Sequence, residues 1–260
     1  QRQMCIRDSS TLGSSNFDGT IQTTAKVNAS AGFSIATYTG DNASGNSTLG
    51  HGLGVAPKVV LIKRRDSTSP WIIGHDGITA NAFANSKYLY LNTTEAVRTT
   101  SIVWGAQPTS TVVQVTTGSS ATNLNASGGT YVMYSFSEVS SFSKFGSYTG
   151  NGNADGTFVF TGFRPAWVMV KRSDATNSAS GWFIFDNKRN TFNQVSNKLC
   201  ANSNQEENDP ATIGTNGAND MDFLSNGFKP RSTNAGINAS GNTYIYLAFA
   251  ESPFKNSRAR

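Results

Sequence analysis

Apolar and polar residues alternate with a period of two along Gly32-Phe33-Ser34-Ile35-Ala36-Thr37-Tyr38-Thr39-Gly40, the pattern of a half-buried β-strand. A denser apolar run, Val55-Ala56-Pro57-Lys58-Val59-Val60-Leu61-Ile62-Lys63-Arg64, predicts a buried strand with Pro57 at its mouth, where a missing N–H is tolerated. Trp71-Ile72-Ile73, Tyr88-Leu89-Tyr90-Leu91, Val112-Val113-Gln114-Val115 and Thr130-Tyr131-Val132-Met133-Tyr134-Ser135-Phe136 predict further strands. Residues 21–27 alternate as well and read as a lone strand or a stem, while residues 41–54 read as a Gly/Asn/Ser loop. No window carries an apolar stripe at helical spacing, and no apolar run approaches membrane-spanning length.

These landmarks occur twice. Asn125-Ala126-Ser127-Gly128-Gly129-Thr130-Tyr131 returns as Asn238-Ala239-Ser240-Gly241-Asn242-Thr243-Tyr244, and the strand after it returns as far as its closing acid, Glu138 and then Glu251. Tyr38-Thr39-Gly40 returns as Tyr148-Thr149-Gly150, Pro57 as Pro165 and Trp71-Ile72-Ile73 as Trp182-Phe183-Ile184, all in the same order. Only the second copy carries Asp222-Phe223-Leu224-Ser225-Asn226-Gly227-Phe228-Lys229, where Asn-Gly between two apolar runs predicts a hairpin with both turn residues at positive φ. Six or seven short strands per unit with turn signals between them predict an all-β chain. Its expected form is two tandem β-sandwich units, jelly-roll or lectin-like, from an internal duplication. The boundaries expected are a stem or lone strand over residues 10–30, repeat 1 over 31–139, repeat 2 over 145–254 and a tail over 255–260.

Composition agrees with many short strands. Charged residues make up 14% of 260, and Asn, Ser, Thr and Gly fill most of the polar remainder. The net charge of +5 permits contact with anions, but the one dense basic cluster, Lys63-Arg64-Arg65, is followed at once by Asp66 and reads as a solvated strand end. Neither nucleic-acid binding nor membrane insertion is expected. The chain opens on Gln1-Arg2-Gln3-Met4-Cys5-Ile6-Arg7-Asp8-Ser9, which looks like a translated sequencing adaptor and predicts that true N-terminal sequence is missing. That leaves Cys200 as a buried small hydrophobe rather than a nucleophile.

Candidate chemistry is sparse. A hydrolase triad needs an imidazole base, and only His51 and His75 could supply one. Neither recurs in the other copy, no Gly-x-Ser-x-Gly elbow accompanies them, and His75 reads as a surface loop residue. Glu206, Glu207 and Asp209 form the densest acidic cluster, in a polar loop where solvation is their default state. Asp41-Asn42-Ala43-Ser44-Gly45 and Asn151-Gly152-Asn153-Ala154-Asp155-Gly156 offer loop oxygens but lack the spaced acids of a calcium loop. No catalytic residue, metal site or cofactor is assigned. Trp104 has no counterpart in the second copy and is followed by loop residues. With His75, Gln107 and Arg98 it forms the candidate ligand-binding set, a ring to stack on a sugar beside polar groups for its hydroxyls.

Taken together, residues 32–40, 50–58, 162–172, 222–229 and 244–255 resemble a family of repeat domains in tail-fibre and related virion proteins of marine bacteriophages. The resemblance implies a virion structural or host-recognition role and supplies no catalytic residues. It also makes the end of the chain look like such a protein's natural C-terminus. The expected function is a non-enzymatic tail-fibre module in the virion that contacts host-surface glycan or protein through sandwich-end loops. Its expected partners are other virion proteins, with a homotrimer as the oligomer to look for. The alternatives are a tail polysaccharide depolymerase, built on Glu206, Glu207 or Asp209, and a secreted, extracellular bacterial adhesin.

Overall fold

The structure is a computed structural model. It describes residues 13–43, 45–99, 103–117, 123–177, 179–205, 207 and 220–251. The segment read as an adaptor and the expected tail both lie outside them. The described residues contain no α-helix and seventeen strands. In chain order these are β1 (Ser14–Asn16), β2 (Thr23–Asn28), β3 (Phe33–Thr39), β4 (Asn46–Gly50), β5 (Val59–Arg64), β6 (Ile72–His75), β7 (Leu89–Tyr90), β8 (Val112–Thr116) and β9 (Thr130–Phe136). The series continues with β10 (Ser143–Thr149), β11 (Val159–Phe160), β12 (Pro165–Arg172), β13 (Trp182–Asp186), β14 (Lys198–Cys200), β15 (Met221–Leu224), β16 (Gly227–Pro230) and β17 (Thr243–Ala250).

The chain divides into two compact units. The first holds residues 1–76, 81–88 and 98–137, and the second holds residues 77–80, 89–97 and 138–260. Residues 89–97, which the sequence pattern places in repeat 1, therefore cluster with the second unit.

In the first unit the strands run in the order β1-β2-β3-β9-β5-β6, all antiparallel. Strand β9 sits in the middle because its alternation serves two neighbours. Tyr131, Met133 and Ser135 face one side, opposite Tyr38, Ala36 and Ser34 of β3, and all six are buried. The β2 segment is an integral sheet strand rather than a lone one, paired with β3 from Thr24↔Thr37 to Asn28↔Phe33. The 41–54 stretch is also more than a loop. Its Asn46–Gly50 part forms β4 and pairs with β8, with Leu49 fully buried opposite Val113. A strand made of Asn, Ser, Thr, Leu and Gly has almost no apolar signature of its own, and the partner strand decides its state.

In the second unit the main sheet runs β10-β17-β12-β13-β14, and a smaller one runs β11-β16-β15. Tyr148, Val168, Val170, Phe183, Phe185, Tyr244 and Tyr246 from the larger sheet share one core with Val159, Met221, Phe223 and Phe228 from the smaller. Phe228 meets the rings of Tyr148 and Tyr246 edge-on at 5.9 and 5.2 Å. Residues 244–248 of β17 are buried on both faces, as a strand between two neighbours must be. The expected hairpin exists, with a shifted turn. Leu224 pairs with Gly227, so Ser225-Asn226 makes the turn, and neither Asn226 nor Gly227 has positive φ. Gly227 serves a close approach instead, since a Cβ there would lie 2.1 Å from the Val159 carbonyl oxygen.

Candidate functional site

The same polar clamp is built in each unit from the recurring Asn-Ala-Ser-Gly stretch. In the first, Asn125 is fully buried. Its Oδ1 accepts the Asp41 N–H at 3.0 Å, and its Nδ2 donates to Asp41 Oδ1 at 2.7 Å and Ser47 Oγ at 3.0 Å. In the second, buried Asn238 accepts the Asn151 N–H at 3.0 Å and donates to Asn151 Oδ1, Asn153 O and Ser232 O at 2.9, 2.7 and 2.9 Å. Thus a carboxamide already engages Asp41 Oδ1 in one of the loops considered above as calcium sites, and Asn151 Oδ1 and Asn153 O in the other, where Asp155 pairs with Lys229 and Arg231. The Ala43 N–H, ahead of Asn125 and Ser47, holds the Asp41 carboxyl below its usual range against a smaller opposing effect of burial.

Two tyrosines complete each clamp. Tyr131 Oη accepts the Ala126 N–H at 3.0 Å and donates to Asn123 O, while Tyr38 Oη donates to Leu124 O at 2.8 Å. Tyr244 Oη accepts the Ala239 N–H at 2.9 Å and donates to Ala235 O, while Tyr148 Oη donates to Ile237 O at 2.6 Å. Burial pushes the Tyr38 and Tyr148 hydroxyls well above their ordinary pKa, so both remain donors. Gly40 and Gly150 allow the loops to close, because a Cβ at either would stand 2.3 Å from the carbonyl oxygen of Ala126 or Ala239.

Three of the four candidate ligand residues, Trp104, Gln107 and Arg98, bond to residues of the turn at 81–88 in the first unit. Trp104 is 1% exposed. Its Nε1 donates to Lys87 O at 3.1 Å and its ring meets Phe83 edge-on at 5.2 Å. Both rings fill the space where a Cβ of Gly74 would stand. Stacking Trp104 on a sugar would require the ring to leave this packing. Gln107 Oε1 accepts the N–H groups of Phe83 and Ala84 at 2.8 and 3.2 Å, and its Nε2 donates to Asp76 Oδ1 at 3.0 Å. Burial raises the Asp76 pKa, but Lys58 and Gln107 outweigh it and the net shift is downward. Arg98 is half-buried and pairs through its backbone with Tyr88. His75 belongs to β6 and is fully buried, not a surface loop residue, because its register with Val59 carries the strand two residues past the apolar run Trp71-Ile72-Ile73.

His51 is also fully buried. The Leu53 N–H donates to its Nδ1 at 3.1 Å, so Nε2 carries the proton and donates to Thr109 O at 3.2 Å. Burial lowers its pKa against smaller opposing effects of the Thr109 carbonyl and Asp18. In the acidic loop, Glu207 binds Arg189 Nη1 at 2.9 Å and Asn197 Nδ2 at 2.8 Å, while Glu206 and Asp209 lie outside the described residues. Cys200 is half-buried at the end of β14, and burial raises its thiol pKa.

Lys171 carries no signal in the residue pattern. It is fully buried in β12 and its Nζ donates to Arg172 O at 2.7 Å and Thr94 O at 3.3 Å. Burial, with Arg172 nearby, lowers its pKa to about 7. The segment 89–97 is held there by three further bonds. Trp182 Nε1 donates to Tyr90 O at 2.9 Å, the Val97 N–H to Ser173 O at 2.9 Å and the Ala96 N–H to Thr176 Oγ1 at 2.8 Å. Among the described residues, no group of three or more His, Cys, Asp or Glu side chains is placed to hold a metal ion.

A family profile described as a domain of unknown function, DUF7483, matches residues 5–253. The chain belongs to this family. The DUF7483 match runs through both units, so the clamp around Asn125 and the clamp around Asn238 lie within one family domain. No curated protein and no solved structure matches the chain.

Proposed function

We propose that this chain is a non-catalytic, repeat-built module of a bacteriophage tail fibre or related virion structure that meets host-surface glycan through its loops. The observation that carries the reading is the recurrence of the clamp. Asn125, Tyr38 and Tyr131 repeat the bonds of Asn238, Tyr148 and Tyr244, including ring stacking at 4.8 and 5.1 Å. On this reading the units are two copies of one β-sandwich repeat whose invariant part is a loop-fixing framework. Such a framework suits a modular scaffold, with specificity in the loops that differ.

The exposed aromatics of the second unit are the contacts this reading assigns to glycan. Phe158, Phe160 and Phe192 are 43%, 62% and 83% exposed, and an exposed ring offers a face to the apolar side of a sugar. The test is binding of the purified chain to host cells and to a glycan array, with reducing-end release followed in parallel. Binding without sugar release, weakened by Phe192→Ala, is the expected result. Release of reducing sugars would replace the reading with a depolymerase, and no binding to any host surface would remove the adhesive role.

A further inference from the structure

Strand β10 is an edge of its sheet, and its outward groups are closed in an unusual way. The Ser143 N–H donates to Val139 O and the Phe145 N–H to Glu138 Oε1, both at 2.9 Å. Odd-numbered residues of β10 therefore turn their backbone groups away from β17, as the alternation of an antiparallel ladder requires. In the first unit β3 has the same neighbour order, β3-β9-β5 against β10-β17-β12, and an added strand on its outer side. There Phe33, Ile35 and Thr37 lie in register with Asn28, Lys26 and Thr24 of β2.

No described strand covers β10 in this way. The segment that precedes it in the chain is β9, which is already the central strand of the first unit's sheet. Glu138 takes the place of the missing strand. One carboxylate oxygen holds the Phe145 N–H, and the other pairs with Lys144 Nζ at 3.1 Å. Thr157 Oγ1 occupies Thr149 O at 2.7 Å. Between them Ser147 is exposed, and no described residue bonds its outward N–H or C=O.

We propose that Glu138 is an edge guard that prevents β10 from pairing with β10 of a second copy of this chain. Antiparallel self-pairing centred on Gly146 would set Phe145 opposite Ser147 of the second copy and exchange their N–H and C=O groups. The Phe145 N–H is the donor that Glu138 holds. Inserting a second strand would displace the carboxylate from that donor and strip it of water, which disfavours the pairing. Lys144 anchors the guard.

The experiment compares the mass in solution of the full-length wild-type chain, Glu138→Ala and the double variant Glu138→Ala/Ser147→Pro by light scattering across a concentration series. Glu138→Ala is expected to rise to twice the wild-type mass. Adding Ser147→Pro, which removes the outward N–H on an edge where proline is tolerated, is expected to restore it. Glu138→Gln keeps the side-chain volume and guards against a folding artefact, and it is expected to double in mass only at higher concentration. Wild-type mass for both single variants, or association that persists in the double variant, overturns the proposal.

Discussion

Asn125 holds Asp41 from both sides, accepting its N–H at 3.0 Å and donating to its carboxylate at 2.7 Å. Asn238 repeats the grip on Asn151 at 3.0 and 2.9 Å. A carboxamide supplies an acceptor and two donors at one point, which no other uncharged side chain of that size does. Replacing Asn125 or Asn238 with Ala leaves several part-buried loop groups without their partner. Each substitution is expected to cost about 2–3 kcal/mol, read from urea unfolding. A loss below ~0.5 kcal/mol would show that the clamp is incidental to stability.

Gly40 and Gly150 are expected to resist substitution for a steric reason. A Cβ at either would stand 2.3 Å from a backbone oxygen that cannot rotate away. Gly40→Ala and Gly150→Ala are each expected to destabilise by about 1–3 kcal/mol, whereas Ala at Gly128, where nothing lies within 4 Å but φ is +67°, strains only the backbone. Thermal melts of the three variants compare steric clash with φ strain directly.

His51 gives stability a defined pH dependence. Its folded pKa lies below the ordinary 6.5, so the unfolded chain takes up the proton first. The His51 contribution is complete above pH 6.5 and is lost as pH falls from there through the folded pKa. Protonation also converts Nδ1 from acceptor to donor and breaks the bond from Leu53. Denaturant midpoints from pH 7.5 to 5 should fall more steeply for the wild type than for His51→Gln, and parallel curves would contradict the assignment.

Lys171 has the same sign over a higher range. With its pKa lowered from 10.5 to about 7, its contribution is complete above 10.5 and declines as pH falls toward 7. The stability of Lys171→Met relative to wild type should therefore drop as pH is raised from 7 to 10. A pH-independent difference would mean that the ammonium form is accommodated through contacts to Thr94 and Arg172.

Trp104→Ala should cost about 3–5 kcal/mol, because it empties the space above Gly74 and frees Lys87 O. Trp104→Phe should recover most of that loss. If Trp104→Ala leaves the melting temperature unchanged, the indole contributes nothing to the turn at 81–88.

The strands that are apolar or regularly alternating, β3, β5, β9, β12 and β17, can be read from the amino-acid pattern alone, as can the recurrence of the Asn-led stretch. Burial on one or both faces writes itself into residue type at a period of two, so these elements are legible without a partner. Tertiary structure decided the rest. Strand β4 exists because β8 pairs with it, and the Asn-Gly hairpin turns one residue earlier because Gly227 admits the Val159 carbonyl. His75 is buried by its register with Val59, and Trp104 by the gap that Gly74 leaves. Lys171 looks like an ordinary strand-end cation until the carbonyl of Thr94, 77 residues away, meets its amine. Register, steric admission and long-range polar pairing are relations between residues far apart in the chain, and local composition has no term for them.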